Sequence, residues 1–321
     1  MHGLSRDDLA SNVAALIGRP LRDDEVLAVA VSGGPDSLAL LLLAHAAFGC
    51  RLQAVTVDHG LRDASPGEAA MVADICTARG IPHATLLWRG DKPLANRQAG
   101  AREARYALMR DWCSVRGIGW LATGHHADDA AETLLMRLAR GSGSAGLSGI
   151  RPRRDLGQGV TLLRPLLGKR RAELAAVVAS AGLDPVDDPS NDDPHYDRTQ
   201  ARTLLADTPW LSPERLASSA ANLRDAEAAL DWAAGLAWDS RVQTLADDVA
   251  VDVAELPVEL VRRLVHRALE SFEANPDGPQ VTRMIAVLQA GGTCTLAGIQ
   301  GRGGDRWTFR RVAGRQNNHL R

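Results

Sequence analysis

The chain has only four cysteines, Cys50, Cys76, Cys113 and Cys294, and no CxxC pair occurs among them. That scarcity speaks against a zinc ribbon or a disulfide framework and fits a reducing compartment. No apolar run reaches the ~18 residues of a membrane-spanning helix, so no membrane is implied. The opening residues, MHGLSRDDLASN, lack a charged-then-apolar leader, and the expectation is a cytoplasmic protein. Overall charge bias is missing too: 37 Lys plus Arg stand against 39 Asp plus Glu, for a net charge of -2 that names no partner. One familiar phosphate-binding signature, GxxxxGK[ST], is also absent.

What is present is ordinary in bulk and uneven in detail. With 45% hydrophobic and 24% charged residues over 321 positions, the chain can bury two moderate cores, and two domains are expected. Nine basic residues lie between Arg137 and Arg171 against the single acid Asp155, and six arginines between Arg302 and Arg321 against Asp305. From Asn222 to Leu260 the balance reverses, with nine acids against Arg224 and Arg241. Two regions could therefore meet a polyanion, although solvated basic faces would look the same.

Apolar runs at 25–31, 51–57, 83–88 and 119–122 alternate with helical stretches at 36–49, 68–79, 95–116 and 127–140. That order predicts an α/β fold with a parallel sheet wrapped by helices. Residues 141–149 read as a mobile glycine–serine loop, followed by a basic turn and a short strand at VTLLRPLL. A helix at 169–181 leads to a proline- and aspartate-rich loop. A second domain is expected from 211 to 321, opening where Ser212 can cap a helix with Pro213 at its first position. It reads as mainly helical, with two strands around a Gly-Arg-Gly-Gly turn at its end.

Within the first strand-to-helix junction lies SGGPDS, residues 32–37. A strand that stops at two glycines and hands over to a helix leaves backbone N–H groups unpaired at the sheet edge, a cradle for phosphate. Ser32, Gly33, Gly34, Pro35, Asp36 and Ser37 are the candidate residues, although an ordinary turn is also possible. In this context SGGPDS resembles the pyrophosphate-loop (PP-loop) signature of the N-type ATP pyrophosphatases. Further blocks are VDHGLR at 57–62, AREARY at 101–106, GHHADDAAETLLMRLARGSGSAGLSGI at 124–150, RPLL at 164–167 and DDPSN at 187–191. Together they resemble the tRNA(Ile)-lysidine synthetase family, closely over residues 25–205.

That resemblance implies a PP-loop catalytic domain over 1–210 and a helical tRNA-binding domain over 211–321. It implies ATP and Mg²⁺ as cofactors, L-lysine and the CAU-anticodon tRNA(Ile) as substrates, and leaves a homodimer open. The implied catalytic residues are Asp36, Arg105 and Asp129, with Asp36 and Asp129 as Mg²⁺ ligands. Asp58, His59 and His125 join the loop in binding ATP. Arg102, His126, Asp128, Glu132, Arg198 and Arg202 support the site. Each has a plainer reading: Asp36, Asp128 and Asp129 as helix-start carboxylates, Asp58 and His59 as a turn, and the arginines as surface charges. Trp307 and Phe309 could stack on RNA or fill a core. Two positions depart from the family pattern, Thr199 where asparagine is usual and Ala130 where glutamine is common. The alternatives are another PP-loop enzyme, such as a tRNA thiolase, or an inactive nucleotide- or RNA-binding module.

Overall fold

The computed structural model describes residues 4–58, 60, 64–89, 97–186, 197–245 and 247–312. It divides into two compact units, residues 1–224 and 225–321. The first contains α1 (Arg6–Ile17), β1 (Leu27–Ala30), α2 (Pro35–Phe48), β2 (Leu52–Asp58), α3 (Ser65–Ala78), β3 (His83–Leu87) and α4 (Arg97–Val115). It continues with β4 (Trp120–Ala122), α5 (Ala127–Ala139), α6 (Ser144–Leu147), β5 (Arg153–Gly157), β6 (Val160–Leu163), α7 (Arg171–Ser180) and α8 (Asp197–Asp207). One long helix, α9 (Pro213–Arg241), starts in the first unit and ends in the second.

The first unit is built on a six-stranded sheet in the order β3-β2-β1-β4-β6-β5. All its pairs are parallel except β5 with β6. Both faces are covered, which explains the nearly continuous apolar strands. Leu27 and Val29 of β1 pack with α1, α2 and α7, while the alternate residue Ala28 packs with Met109 and Cys113 of α4. The chain runs from β1 outward to β2 and β3, then returns to place β4 on the other side of β1. The carboxyl ends of β1 and β4 therefore flank a topological switch point, where open α/β sheets bind ligands.

Three features differ from the sequence expectation. An additional helix, α1, precedes β1, started by Ser5, whose hydroxyl accepts from the Asp8 amide. Within the basic turn expected at 151–159, Arg153–Gly157 form strand β5, an exposed edge strand. Residues 141–150 turn around a short helix, α6, where a glycine–serine loop is expected. Arg137 donates to the carbonyls of Gly146 and Gly149, and Arg224 to those of Ser148 and Ile150.

The second unit is richer in strands than expected. It holds β7 (Val242–Thr244), β8 (Asp248–Val251), α10 (Val258–Glu270), α11 (Gly278–Gln289), β9 (Thr293–Leu296), β10 (Ile299–Arg302) and β11 (Trp307–Arg311). The strands form an antiparallel sheet in the order β7-β8-β11-β10-β9. β9 and β10 are joined through Ala297 (φ 49°) and Gly298 (φ 79°), the two left-handed positions of a tight hairpin turn. Trp307 and Phe309 are interior and pack with Leu264, Val265 and Met284. Core packing, not base stacking, is their role.

Candidate active site

The SGGPDS loop leaves β1 at the switch point and starts α2, with Pro35 at the first helical position. Its shape is held from within. The Ser37 hydroxyl accepts from the Ser32 amide at 3.1 Å and donates to the Gly34 carbonyl at 2.9 Å. Gly33 has φ 88°, and a Cβ there would lie 3.1 Å from the Val186 side chain, so the turn requires glycine. The Gly33 carbonyl accepts from the Val186 amide. Among the described residues no acceptor takes the Gly33 or Gly34 amide.

The second wall comes from the end of β4. Gly124 passes so close to the first turn of α2 that a Cβ would sit 2.7 Å from the Asp36 carbonyl oxygen. The next two residues face opposite electrostatic surroundings, as successive residues of an extended chain do. His126 is fully buried, its Nε2 lying 3.3 Å from Asp36 Oδ2 and 3.6 Å from Asp129 Oδ2, its Nδ1 3.6 Å from Asp128 Oδ2. Burial opposes its charge, but Asp128, Asp36 and Asp129 outweigh that penalty and raise its pKa to about 9. It is an imidazolium at neutral pH. Its contacts are ion pairs of loose geometry, since neither ring nitrogen makes an aligned hydrogen bond.

His125 turns the other way. Its Nδ1 lies 3.0 Å from the Thr123 hydroxyl and its Nε2 3.4 Å from Arg102. Burial, then Arg164, Arg102, Arg198 and Arg105, hold it well below the ordinary histidine range, so it is neutral. Arg105 has no carboxylate partner among the described residues. Burial lowers its pKa, opposed in part by Tyr106 and reinforced to a lesser extent by Arg102. Arg102 lies over the Tyr106 ring, 5.3 Å from its centroid.

The acids divide by what they touch. Asp128 accepts from the Arg171 amide at 2.9 Å and from Arg170 Nε at 3.1 Å, tying α5 to the start of α7. Burial raises its pKa, but His126, Arg170 and the Arg171 amide prevail and hold it well below the usual range. Asp129 accepts the His126 amide with Oδ2 at 3.0 Å and Arg198 with Oδ1 at 2.6 Å, so both oxygens are engaged. Glu132 is 1% exposed and receives Arg198 Nε at 2.6 Å and Arg202 Nε at 3.1 Å, with Arg171 at 3.7 Å. Asp36 is different: its Oδ1 is buried with no hydrogen-bond partner. That orphaned oxygen fits a magnesium ion, which commonly takes one or two carboxylates and completes its shell with phosphate and water. No cluster of three or more His, Cys, Asp or Glu residues suited to a metal occurs among the described residues.

Asp58, at the end of β2, accepts from the Gly60 amide at 2.9 Å and the Ser65 hydroxyl at 2.5 Å, bracing the turn before α3. His59 and the DDPSN block lie outside the described residues. Sequence reasoning missed Gly124, whose need arises only where α2 crosses it, and Arg170 as the partner of Asp128. It also left Arg164 unassigned, though that residue opens the RPLL block and sits at the carboxyl end of β6.

Residues 6–208 match the family described as a PP-loop domain. The chain is 45% identical to the tRNA(Ile)-lysidine synthase of Zymomonas mobilis over 90% of this chain and 89% of that one. It is 46% identical to the tRNA(Ile)-lysidine synthase of Novosphingobium aromaticivorans over 88% of each. A solved structure, the U34-tRNA thiolase NcsA from Methanococcus maripaludis with its [4Fe-4S] cluster, shares the fold at a TM-score of 0.55 and 17% identity, covering 68% of this chain and 78% of its own. The unpaired amides at the switch point, the arginines gathered around His125 and these relatives agree: the chain belongs to the tRNA(Ile)-lysidine synthase family, with an ATP-using PP-loop domain at residues 6–208.

Proposed function

We propose that this protein is the cytoplasmic enzyme that joins L-lysine to C2 of the wobble cytidine in CAU-anticodon tRNA(Ile), with ATP converted to AMP and pyrophosphate. The observation that carries the reading is the pair of Gly33 and Gly34 amides, left without protein acceptors at the switch point of a chain with these relatives. They take the β- and γ-phosphates, with the α2 N-terminus adding favourable potential. Ser32 lines the same turn and Ser37 keeps its shape.

Cytosine O2 attacks the α-phosphorus, the bond to the bridging oxygen breaks, and pyrophosphate leaves. Arg105, free of any carboxylate among the described residues, stabilises the charge that develops on the α-phosphate, with Arg102 beside it. Asp36, with its unpartnered Oδ1, would hold Mg²⁺, which would supply positive charge to the phosphates. Asp129 orients Arg198 instead of binding the ion, because both its oxygens are already engaged. Neutral His125 can hydrogen-bond the nucleotide without repelling a cation. The lysine ε-amine, deprotonated, then attacks C2, AMP departs with O2, and the amine gives up a proton.

The second unit is proposed to help hold the tRNA through exposed Arg302, Arg306 and Arg310. A thiolase reading is disfavoured by the two buried thiols of the first unit: burial pushes Cys76 up to about 11 and Cys113 up to about 12, far from nucleophilic. The test is ATP-dependent incorporation of labelled lysine into CAU-anticodon tRNA(Ile), with other amino acids and the CAU-anticodon tRNA of methionine as controls. Binding of ATP without incorporation would instead support a nucleotide- or RNA-binding module.

A further inference from the structure

A second concentration of positive charge stands beside the nucleotide cradle. Arg164 follows β6 directly and is 5% exposed, yet its Nε has no hydrogen-bond partner. One Nη donates to the Arg151 carbonyl, and the side chain faces the Tyr106 phenol and the guanidiniums of Arg102 and Arg154. Arg154, exposed on edge strand β5, lies over the Tyr106 ring at 5.9 Å from the centroid, while Arg102 approaches the same ring at 5.3 Å. None of Arg102, Arg154 and Arg164 has a carboxylate partner among the described residues. Three like charges around one phenol, one of them buried with an unsatisfied N–H, are costly unless an anion joins them.

We infer that Arg154 and Arg164, with Arg102 and the Tyr106 hydroxyl, form a second phosphate pocket that grips a backbone phosphate of the substrate RNA. The inference rests on the lysidine-forming reading, which brings a nucleotide of an RNA strand to this edge of the sheet. Two sources of phosphate are available, the RNA backbone and ATP. Position favours the RNA. β6 stands two strands from β1, about 10 Å at the usual strand spacing, so this pocket is laterally offset from the Gly33–Gly34 cradle. Arginine suits the task because its planar fork engages two phosphate oxygens at once.

The test compares Arg154→Ala, an exposed change that leaves the core intact, with Arg164→Lys, which keeps the charge and loses the fork. Affinity for a CAU-anticodon tRNA transcript is measured by filter binding across a salt series, and affinity for ATP by calorimetry. Both variants are expected to bind tRNA about tenfold more weakly. For Arg154→Ala the salt slope of log K should also fall by about 0.7 to 1. ATP affinity should stay within about twofold for Arg154→Ala. Unchanged tRNA binding in a folded Arg154→Ala protein overturns the inference. So does a tenfold loss of ATP affinity with tRNA binding intact, which would give the pocket to the nucleotide. Failure of the wild type to bind this tRNA would sink the functional reading itself, and this inference with it.

Discussion

His125 and His126 are covalent neighbours in opposite charge states. His126 faces Asp36, Asp128 and Asp129 and is held protonated, whereas His125 faces Arg102, Arg105, Arg164 and Arg198 and is held neutral. One peptide unit therefore separates an anionic wall from a cationic one. The anionic wall has an internal counter-cation, and Arg170, Arg171, Arg198 and Arg202 take most of its remaining charge. Apart from Arg198, which the acids share, the cationic wall has no such provision: Arg102, Arg105 and Arg164, and Arg154 beside them, lack carboxylates among the described residues. The difference separates scaffold from binding surface. Groups already neutralised by the protein hold the loops in place, and groups left unneutralised await a polyanion.

The largest effect is expected on the cationic wall. Arg105→Ala should lower the rate of pyrophosphate release in the presence of tRNA(Ile) by about 10²- to 10³-fold, the usual loss of one transition-state donor. Because Arg105 pairs with no acid in the fold, the melting temperature should stay within a few degrees. A variant that unfolds instead would erase the distinction between the walls.

On the anionic wall the corresponding change is structural. Glu132→Gln leaves Arg171, Arg198 and Arg202 without their shared carboxylate. The expected loss is about 3 kcal/mol in denaturant unfolding, at the low end for an orphaned buried partner, because these arginines are 30% to 41% exposed. A change below about 0.5 kcal/mol, typical of a surface position, would show that Glu132 is not the keystone of this wall.

How much of this was legible in the chain depends on where each requirement arises. SGGPDS and GHHADD are contiguous, and the strand-then-helix pattern alone brings them to one sheet edge. Gly124 was not legible as a packing constraint, because only the approach of α2 in space forbids a side chain there. Nor was the engagement of both Asp129 oxygens, since Arg198 comes from α8, 69 residues later. Arg153, Arg154 and Asp155 form an exposed edge strand without the apolar alternation that marks a half-buried one, so β5 read as a turn. In the second unit β7 and β8, only three and four residues long, lie in an acidic stretch that masks them.

The two histidines should also give the protein opposite pH responses in magnesium-free buffer. For His126 the folded pKa of about 9 exceeds its ordinary 6.5. Its stabilisation is therefore complete below pH 6.5 and is lost as pH rises through 9, on the order of 3 kcal/mol in all. Urea unfolding from pH 6 to 10 should show that decline, and His126→Gln should flatten it; a variant with the wild-type slope would remove His126 as the internal cation.

The smallest effect belongs to His125, whose folded pKa lies below the ordinary value of 6.5. Here the unfolded chain binds the extra proton, so stability is lost as pH falls below 6.5. A single proton limits that loss to about 1.4 kcal/mol per pH unit. His125→Asn should reduce the acid-side slope between pH 6.5 and 5.5 while leaving the alkaline decline in place. Phosphate should act in the same direction as the substitution: an anion bound among the arginines weakens the field that keeps His125 neutral, so added pyrophosphate is expected to shrink the wild-type acid slope. An acid slope insensitive to both the substitution and pyrophosphate would mean that the cationic wall does not govern this histidine, and the contrast between the two residues would fail on that side.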